Sequence, residues 1–205
     1  MIDRVVTHGT FELDGGSWEV DNNIWLIGDD DDVVVVDAAH DAGPIIDAAA
    51  GRNVVAVVCT HGHNDHVTVA PQLGEALDAP VLMHPADEVL WRMTHPDKQF
   101  RVLEDGAVLT VGGIELRAIH TPGHSPGSTC LHAPELSAVF SGDTLFQGGP
   151  GATGRSYSDF PTILASISEK LGKLPGDTVV YTGHGDTTTI GGELVNYDEW
   201  VGRGH

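Results

Sequence analysis

Long hydrophobic runs and basic residues are both scarce in this chain of 205 residues. No apolar stretch approaches the roughly 20 residues that a helix needs to cross a bilayer. The first residues also lack the basic start, apolar core and cleavage site of a secretory signal. We therefore expect a cytoplasmic protein with no membrane partner.

Lysine and arginine together number 10, against 30 aspartate and glutamate residues, which gives a formal net charge of −20. A surface of this sign repels phosphate backbones, so no nucleic-acid partner is expected. The acidic run at residues 29–32 is interpreted as a solvated turn between two strands.

Cysteine is rare as well, with only Cys59 and Cys130 in the chain, each in an apolar, strand-like run. Two cysteines leave a disulfide open. Two buried, reduced thiols of an intracellular protein fit this placement better.

Apolar residues are plentiful, at 40% of the chain, and the length is sufficient to bury a core. No linker or change of composition divides the sequence, so residues 1–205 are expected to form a single domain. Continuous apolar runs predict strands at residues 18–27, 33–36, 54–58, 80–84, 128–131, 138–140 and 178–182, with two more within 104–119. Helices are predicted at residues 41–50, 68–77, 161–171 and 193–203. Mixed strands with covering helices indicate an α/β fold, either two sheets with helices outside or a three-layer arrangement.

Four of the strand-like runs are followed at once by potential metal ligands. Because ligands just past the ends of strands lie along one edge of a sheet, the pattern predicts a single site built by the whole fold. The four motifs are Thr60-His61-Gly62-His63-Asn64-Asp65-His66, His120-Thr121-Pro122-Gly123-His124, Ser141-Gly142-Asp143 and Thr182-Gly183-His184-Gly185.

The spacing within the first motif suits two ions. His61 and His63 can close on one ion, while Asp65 and His66 point elsewhere and suit a second. Asp143 is the natural bridge, because a carboxylate can bind one metal with each oxygen. Mixed imidazole and carboxylate ligands favour two divalent ions of zinc, iron or manganese, with zinc preferred, over magnesium or calcium. Such a pair of ions can hold a hydroxide between them.

A purely structural zinc site is the alternative interpretation. Such sites are usually closed, tetrahedral and rich in cysteine, whereas the candidate donors here exceed the needs of one tetrahedral ion. The sequence therefore favours a catalytic site. Two further histidines, His84 and His120, lie near strand ends, and His120 is a candidate neighbour of the ligands. The remaining histidines are interpreted as ordinary surface or core residues: His8, His40, His95, His132 and His205.

The first motif, followed by His124, Asp143 and His184, resembles the metallo-β-lactamase superfamily over nearly the whole chain. The resemblance implies a four-layer αββα sandwich with the metals at one edge of the sheets. It implies that metal one is held by His61, His63 and His124, and metal two by Asp65, His66 and His184, with Asp143 bridging. Asp37, just past the run at residues 33–36, would orient ligands, and Asp65 and Asp143 are the candidate catalytic carboxylates.

Within that superfamily, residues 141–146 and 182–185 resemble the glyoxalase II group, which hydrolyses thioesters of small thiols. A metal-bridging hydroxide would attack the polarised carbonyl, and the departing thiolate needs no strong general acid. The best-known glyoxalase II enzymes hold glutathione with basic and aromatic residues of a C-terminal helical region. Here only Lys170, Lys173 and Arg203 are basic after residue 155, so we do not expect glutathione to be the thiol. The sequence style resembles actinobacterial members of the group, which implies a mycothiol thioester as substrate.

The glycine-rich loop at residues 148–160 has the character of a pocket lining, in which Arg155 and Tyr157 could bind an anionic or polar part of the substrate. A surface loop with a salt-bridged Arg155 is the alternative.

Other activities stay open at this stage. Persulfide dioxygenases resemble the chain in the same motif but use one iron, held by the equivalents of His61, His124 and Asp143. Lactone or β-lactam hydrolysis is a further alternative, although common di-zinc β-lactamases are exported and carry cysteine in the region of Asp143. A monomer and a homodimer are both compatible with the sequence.

Overall fold

The structure is a computed structural model that describes residues 1–204. His205, interpreted from the sequence as an ordinary surface or core residue, lies outside the described residues.

The first half of the chain forms a six-stranded sheet in sequential order. The first three strands pair antiparallel, and the third to sixth pair parallel with helices between them. The strands are β1 (Ile2–Leu13), β2 (Gly16–Gly28), β3 (Asp32–Val36), β4 (Asn53–Val58), β5 (Val81–Met83) and β6 (Arg101–Val102).

The second half forms another six-stranded sheet, in the order β14-β13-β10-β9-β8-β7, and a small two-stranded ribbon, β11-β12. The pair β10 and β13 is parallel, and the other pairs are antiparallel. The strands are β7 (Val108–Val111), β8 (Ile114–His120), β9 (Thr129–Ala133), β10 (Ala138–Gly142), β11 (Leu145–Phe146), β12 (Gly149–Pro150), β13 (Val179–Thr182) and β14 (Thr188–Thr189).

Helices cover the outer faces of both sheets. Ile45 of α1 and Trp91 of α4 pack on the first sheet, and Ile163 of α5 and Trp200 of α7 pack on the second. The helices are α1 (Ala42–Ala49), α2 (Asn64–Val67), α3 (Ala70–Ala76), α4 (Glu88–Thr94), α5 (Phe160–Glu169), α6 (Ile190–Leu194) and α7 (Tyr197–Arg203). The expected four-layer αββα sandwich is confirmed.

The valine run of β3 shows why both faces of a sheet are covered. Val33 and Val35 pack in the core beneath α1 and α4, whereas Val34 and Val36 pack between the two sheets. Successive strand side chains point to opposite faces, so a strand buried on both faces must be continuously apolar. Each such valine contributes roughly 1.5 kcal/mol or more by leaving water.

The two cysteines are free and buried, as expected. Cys59 packs in the outer core of the first sheet and Cys130 in the outer core of the second. Two sheets separate the thiols, and this layering excludes a disulfide between them. No helix among residues 1–204 is long and apolar enough to cross a membrane.

The sequence did not predict the short strands β6, β11, β12 and β14, nor two longer elements, β1 and α4. The strand β1 carries mainly half-exposed side chains, and only Thr7 and Leu13 in it are buried, so its apolar signal is weak. The helix α4 has its apolar residues, among them Leu90 and Trp91, within one short segment. Pairing with β2 stabilises β1, and the packing of Trp91 in the outer core of the first sheet stabilises α4.

Candidate metal centre

The seven predicted donors come together at one edge of the two sheets. The four loops that carry them each follow a strand, and these strands are β4, β8, β10 and β13. Asp65 and His66 lie in the single turn of α2, which begins directly after His63. All of the donors are buried except His184, whose side chain is 25% exposed.

The first group of donors is formed by three imidazole rings. His63 Nδ1 lies 3.0 Å from His61 Nε2 and 3.0 Å from His124 Nε2. Three ring nitrogens that converge at this distance offer lone pairs to a common point. Burial holds the pKa of His61 well below its ordinary value and lowers the pKa of His63 to about 3, so both rings are neutral, as ligands must be.

The second group is formed by Asp65, His66 and His184. His184 Nε2 lies 3.4 Å from Asp65 Oδ2 and 3.2 Å from His66 Nε2. Burial acts against charge on His184, but Asp143 and Asp65 outweigh it and raise the pKa of His184 to about 10. Burial likewise opposes ionisation of Asp65, but His66 and His184 lower the pKa of this carboxyl to about 2.

The carboxylate of Asp143 reaches both groups. Its Oδ2 lies 3.5 Å from His124 Nε2 in the first group and 3.3 Å from His184 Nε2 in the second, and its Oδ1 lies 3.3 Å from His66 Nε2. Although burial opposes ionisation, His184 and His66 hold the pKa of Asp143 well below its ordinary value. This position between two donor groups is the geometry that a bridging ligand requires.

Two glycines allow close packing beside Asp143. Gly142 has φ of +48°, and a Cβ on it would lie 2.5 Å from Thr60 Oγ1. A Cβ on Gly183 would lie 2.3 Å from Asp143 Oδ1 and 2.9 Å from His66 Cε1. Gly183 is therefore required by close packing on the carboxylate, and Gly142 by its left-handed backbone and the close approach of Thr60.

Unpaired polar atoms indicate that cations belong in this centre. Asp65 Oδ1 and Asp143 Oδ1 are buried and have no hydrogen-bond partner, which is costly for an ionised carboxylate. Cations bound by these two carboxylates would offset that cost. The cluster is compatible with a dinuclear metal site, and its imidazole and carboxylate donors suit zinc, iron or manganese.

Asp37 orients one ligand and supports another. It accepts a hydrogen bond from His66 Nδ1 at 2.8 Å and another from the backbone N–H of Thr60 at 2.7 Å. The hydroxyl of Thr60 lies 3.0 Å from the same carboxylate and 3.1 Å from His61 Nδ1. These contacts leave the Nε2 atoms of His61 and His66 to face the centre.

Backbone carbonyls orient two further ligands. His124 Nδ1 donates to the carbonyl oxygen of Ala152 at 2.8 Å, and His184 Nδ1 donates to that of Asp21 at 2.7 Å. In the neutral ring that binds a metal, each bond keeps the hydrogen on Nδ1 and leaves Nε2 free for the ion.

Two buried side chains that the sequence analysis missed also contact the loops of the centre. Asn23 of β2 donates to the carbonyl oxygens of Thr182 and Gly185, 3.0 Å away in both cases, on either side of His184. Asp87 accepts hydrogen bonds from the loops that carry His61 and His124. A polar pair inside the apolar run of β2, Asn22-Asn23, was the available signal for the first. Asp87 gave no signal, because one acidic residue among thirty is not distinctive.

His120 stabilises the loop that carries the donor His124. Its Nε2 donates to the carbonyl oxygen of Pro126 at 2.8 Å, and its ring stacks on that of His84 with centroids 3.9 Å apart. The loop between His120 and Pro126 contains His124.

A cavity of about 230 Å³ opens onto the donors. Phe11 and Trp18 of the β1–β2 hairpin line it together with Arg155, whose guanidinium carbon lies 3.7 Å from the centroid of the Trp18 ring. Tyr157 is 44% exposed and is not among the lining residues. The structure thus brings Arg155 to the cavity and leaves Tyr157 on the surface. A larger open groove of about 490 Å³, beside α3 and β6, contains none of the donors.

The sequence model of the metallo-beta-lactamase superfamily matches residues 18–184, a span that includes every donor. The chain belongs to the metallo-beta-lactamase superfamily. Among its relatives, the hydroxyacylglutathione hydrolase GloC of Haemophilus influenzae is 32% identical over 190 residues, which cover 83% of this chain and 89% of the relative. The probable metallo-hydrolase YqgX of Bacillus subtilis is 32% identical over 185 residues, covering 82% and 87%.

A solved structure supports the same family membership. TTHA1623 in a di-iron-bound form superposes with a TM-score of 0.77 at 32% identity, over 85% of this chain and 93% of that one. The protein is an enzyme of the metallo-hydrolase class, as the sequence predicted.

Proposed function

We propose that this enzyme hydrolyses the thioester of a small-molecule thiol, and that its seven donors hold two divalent ions, with zinc preferred. The observation that carries the proposal is the position of Asp143, whose carboxylate lies within 3.5 Å of a donor nitrogen in each group. The relationship to a hydroxyacylglutathione hydrolase supports the choice of a thioester.

The assignment of donors follows the two groups. His61, His63 and His124 would hold the first ion, Asp65, His66 and His184 the second, and Asp143 would bridge. When bound, two divalent ions lower the pKa of a water molecule toward neutrality and polarise the substrate carbonyl.

The chain's own residues prepare the site for that chemistry. Asp37 and the carbonyl oxygens of Ala152 and Asp21 hold three ligand rings in fixed tautomers. Preorganised ligands of this kind need no rearrangement during the reaction. A thiol has a pKa of about 8.5, so its thiolate leaves readily at neutral pH. A thioester substrate therefore needs no protonating side chain in the cavity.

The cavity selects a small acyl group. Its volume of about 230 Å³ is below the roughly 300 Å³ that encloses a drug-sized ligand. The acyl group and the sulfur can lie inside, between the donors and the aromatic walls of Phe11 and Trp18, while the rest of the thiol extends outward. Arg155 supplies a positive charge on that wall for an anionic part of the substrate.

A hydrolysis panel with enzyme of measured metal content tests the proposal. The panel contains lactoyl thioesters of glutathione and mycothiol, a lactone and a β-lactam, and each is compared by kcat/KM. We expect a thioester to be the best substrate and two ions per chain. A higher kcat/KM for the lactone or the β-lactam would contradict the proposal, as would one iron per chain with persulfide-dependent oxygen uptake.

A further inference from the structure

His40, an ordinary residue by its sequence context, lies in a place built for its ring. Its backbone has φ of +59°, a left-handed conformation that is uncommon for a residue with a side chain. The ring packs against the bare backbone of Gly9, where a Cβ would lie only 2.2 Å from His40 Nδ1. The backbone of His40 and the absence of a side chain at Gly9 together place the imidazole against β1.

From this position the ring contacts Asn22 of β2. His40 Nε2 lies 2.8 Å from Asn22 Oδ1, and Asn22 Nδ2 lies 3.1 Å from Asp65 Oδ2 and 3.2 Å from His66 Nε2. The Asn22 side chain is fully buried. One amide therefore joins His40 to two donors of the second group.

The direction of these hydrogen bonds follows from the chemistry of the groups. An ionised carboxylate only accepts, so Asp65 requires the NH₂ of Asn22 to face it. The amide oxygen then faces His40, whose Nε2 must carry the hydrogen and donate. Burial lowers the pKa of His40 below its ordinary value, which agrees with a neutral ring in this tautomer.

Without His40, only the contacts of Asn22 Nδ2 with Asp65 and His66 would favour this direction of the amide, and its oxygen would have no donor. The last torsion of asparagine is roughly two-fold, and its oxygen and nitrogen are similar in size. Turned over, the amide would direct its oxygen at Asp65 Oδ2 and repel it. Contacts that orient ligands typically contribute 10- to 100-fold to metal affinity.

We propose that His40 is a positioning residue of the second donor group: through Asn22 it fixes the orientation of Asp65 and so sets the affinity of the group for its ion. This inference rests on the two-ion site of the proposed function.

Metal titration of the apoprotein tests the inference with Zn²⁺ alone as the probe. The variant His40→Gly removes the ring and suits the left-handed backbone. We expect the second ion to bind about tenfold more weakly and the first ion to bind as in the wild type. His40→Gln, which restores an N–H donor of similar reach, should recover most of that loss. His132→Ala, at a half-buried histidine of β9, is the matched control and should leave both affinities unchanged.

A double variant separates positioning from packing. In an Asn22→Ala background, His40→Gly should cause no further loss of second-ion affinity, because His40 acts only through the amide. If His40 merely packed on Gly9, its removal would lower the thermal midpoint and weaken both ions, and the two substitutions would be additive. That result would overturn the inference, and so would equal second-ion affinities for wild type and His40→Gly. A wild-type stoichiometry of one ion would instead overturn the proposed function and the inference together.

Discussion

The carboxylate of Asp87 accepts a hydrogen bond from the hydroxyl of Ser125 at 2.6 Å, and this contact joins the two halves of the chain beside the metal centre. The same carboxylate accepts from the backbone N–H groups of Gly62 at 2.8 Å and Gly127 at 2.5 Å. Asp87 belongs to the half that builds the first sheet, and Ser125 to the half that builds the second. One buried carboxylate thus fixes the position of the His61–His63 loop relative to the His124 loop.

Removal of this carboxylate should weaken the fold and the first donor group together. In Asp87→Ala, two backbone N–H groups and the hydroxyl of Ser125 lose their acceptor in a fully buried place. We expect the free energy of unfolding of the apoprotein to fall by about 3 kcal/mol, measured by urea denaturation. Asp97→Ala, at an exposed aspartate, should change it by less than about 0.5 kcal/mol. Equal stabilities for the two variants would show that the contacts of Asp87 contribute nothing.

Loss of one anionic oxygen at the bridging position should remove an ion. Asp143→Asn keeps the size of the side chain, so packing against Gly183 is retained while the donor charge is lost. We expect the metal content to fall from two ions toward one, and kcat to fall by at least about 100-fold. The exposed Asp186→Asn is the control. Full activity with unchanged metal content would exclude a ligand role for Asp143.

His184 separates the two-ion hydrolase from the one-iron dioxygenase. In the hydrolase His184 holds the second ion, so His184→Ala should lower the ion count toward one and nearly abolish thioester hydrolysis. In the dioxygenase the residue would not touch the iron, and oxygen uptake with a persulfide would largely survive. Metal analysis, the thioester hydrolysis assay and the oxygen-uptake assay on the same preparation distinguish the two enzymes. Because the cluster has more donors than one ion can use, we expect the first result.

Arg155 should act on substrate binding. If its guanidinium binds an anionic part of the substrate, Arg155→Ala should raise KM about tenfold and change kcat little, because a remote charge contributes equally to the ground state and the transition state. Arg155→Lys keeps the charge but loses the planar contact with Trp18, so it should recover only part of the loss. Unchanged kinetics in Arg155→Ala would leave Arg155 as a residue of the loop surface.

The two thiols should be unreactive in the folded protein. Cys59 and Cys130 are fully buried, and burial raises the pKa of Cys130 to about 11, so the reactive thiolate of this residue is rare at pH 8. Ellman's reagent should detect two thiols in denaturant and almost none in the native state over several minutes. Prompt modification of the native protein would contradict the buried placement.

Much of the fold followed from local patterns. The valines of β3 predicted a strand covered on both faces because a strand exposes alternate residues to opposite sides, and the structure places them so. The strand β1 and the helix α4 could not be predicted in this way. Their side chains give only a weak pattern of alternation or helical spacing. Pairing with β2 stabilises β1, and packing in the outer core of the first sheet stabilises α4.

The sequence by itself determined the candidate donors and the family, because the ligand motifs are short and their spacing is local. The resemblance already implied the two donor groups and the bridging role of Asp143, whereas the distances that join this carboxylate to both groups come only from the tertiary structure. The same is true of the contacts of Asn22 with His40, of Asp87 with Ser125 and of Arg155 with Trp18. Each of these pairs joins residues that are 18 or more positions apart in the chain, so their contact depends on how strands and loops pack in three dimensions.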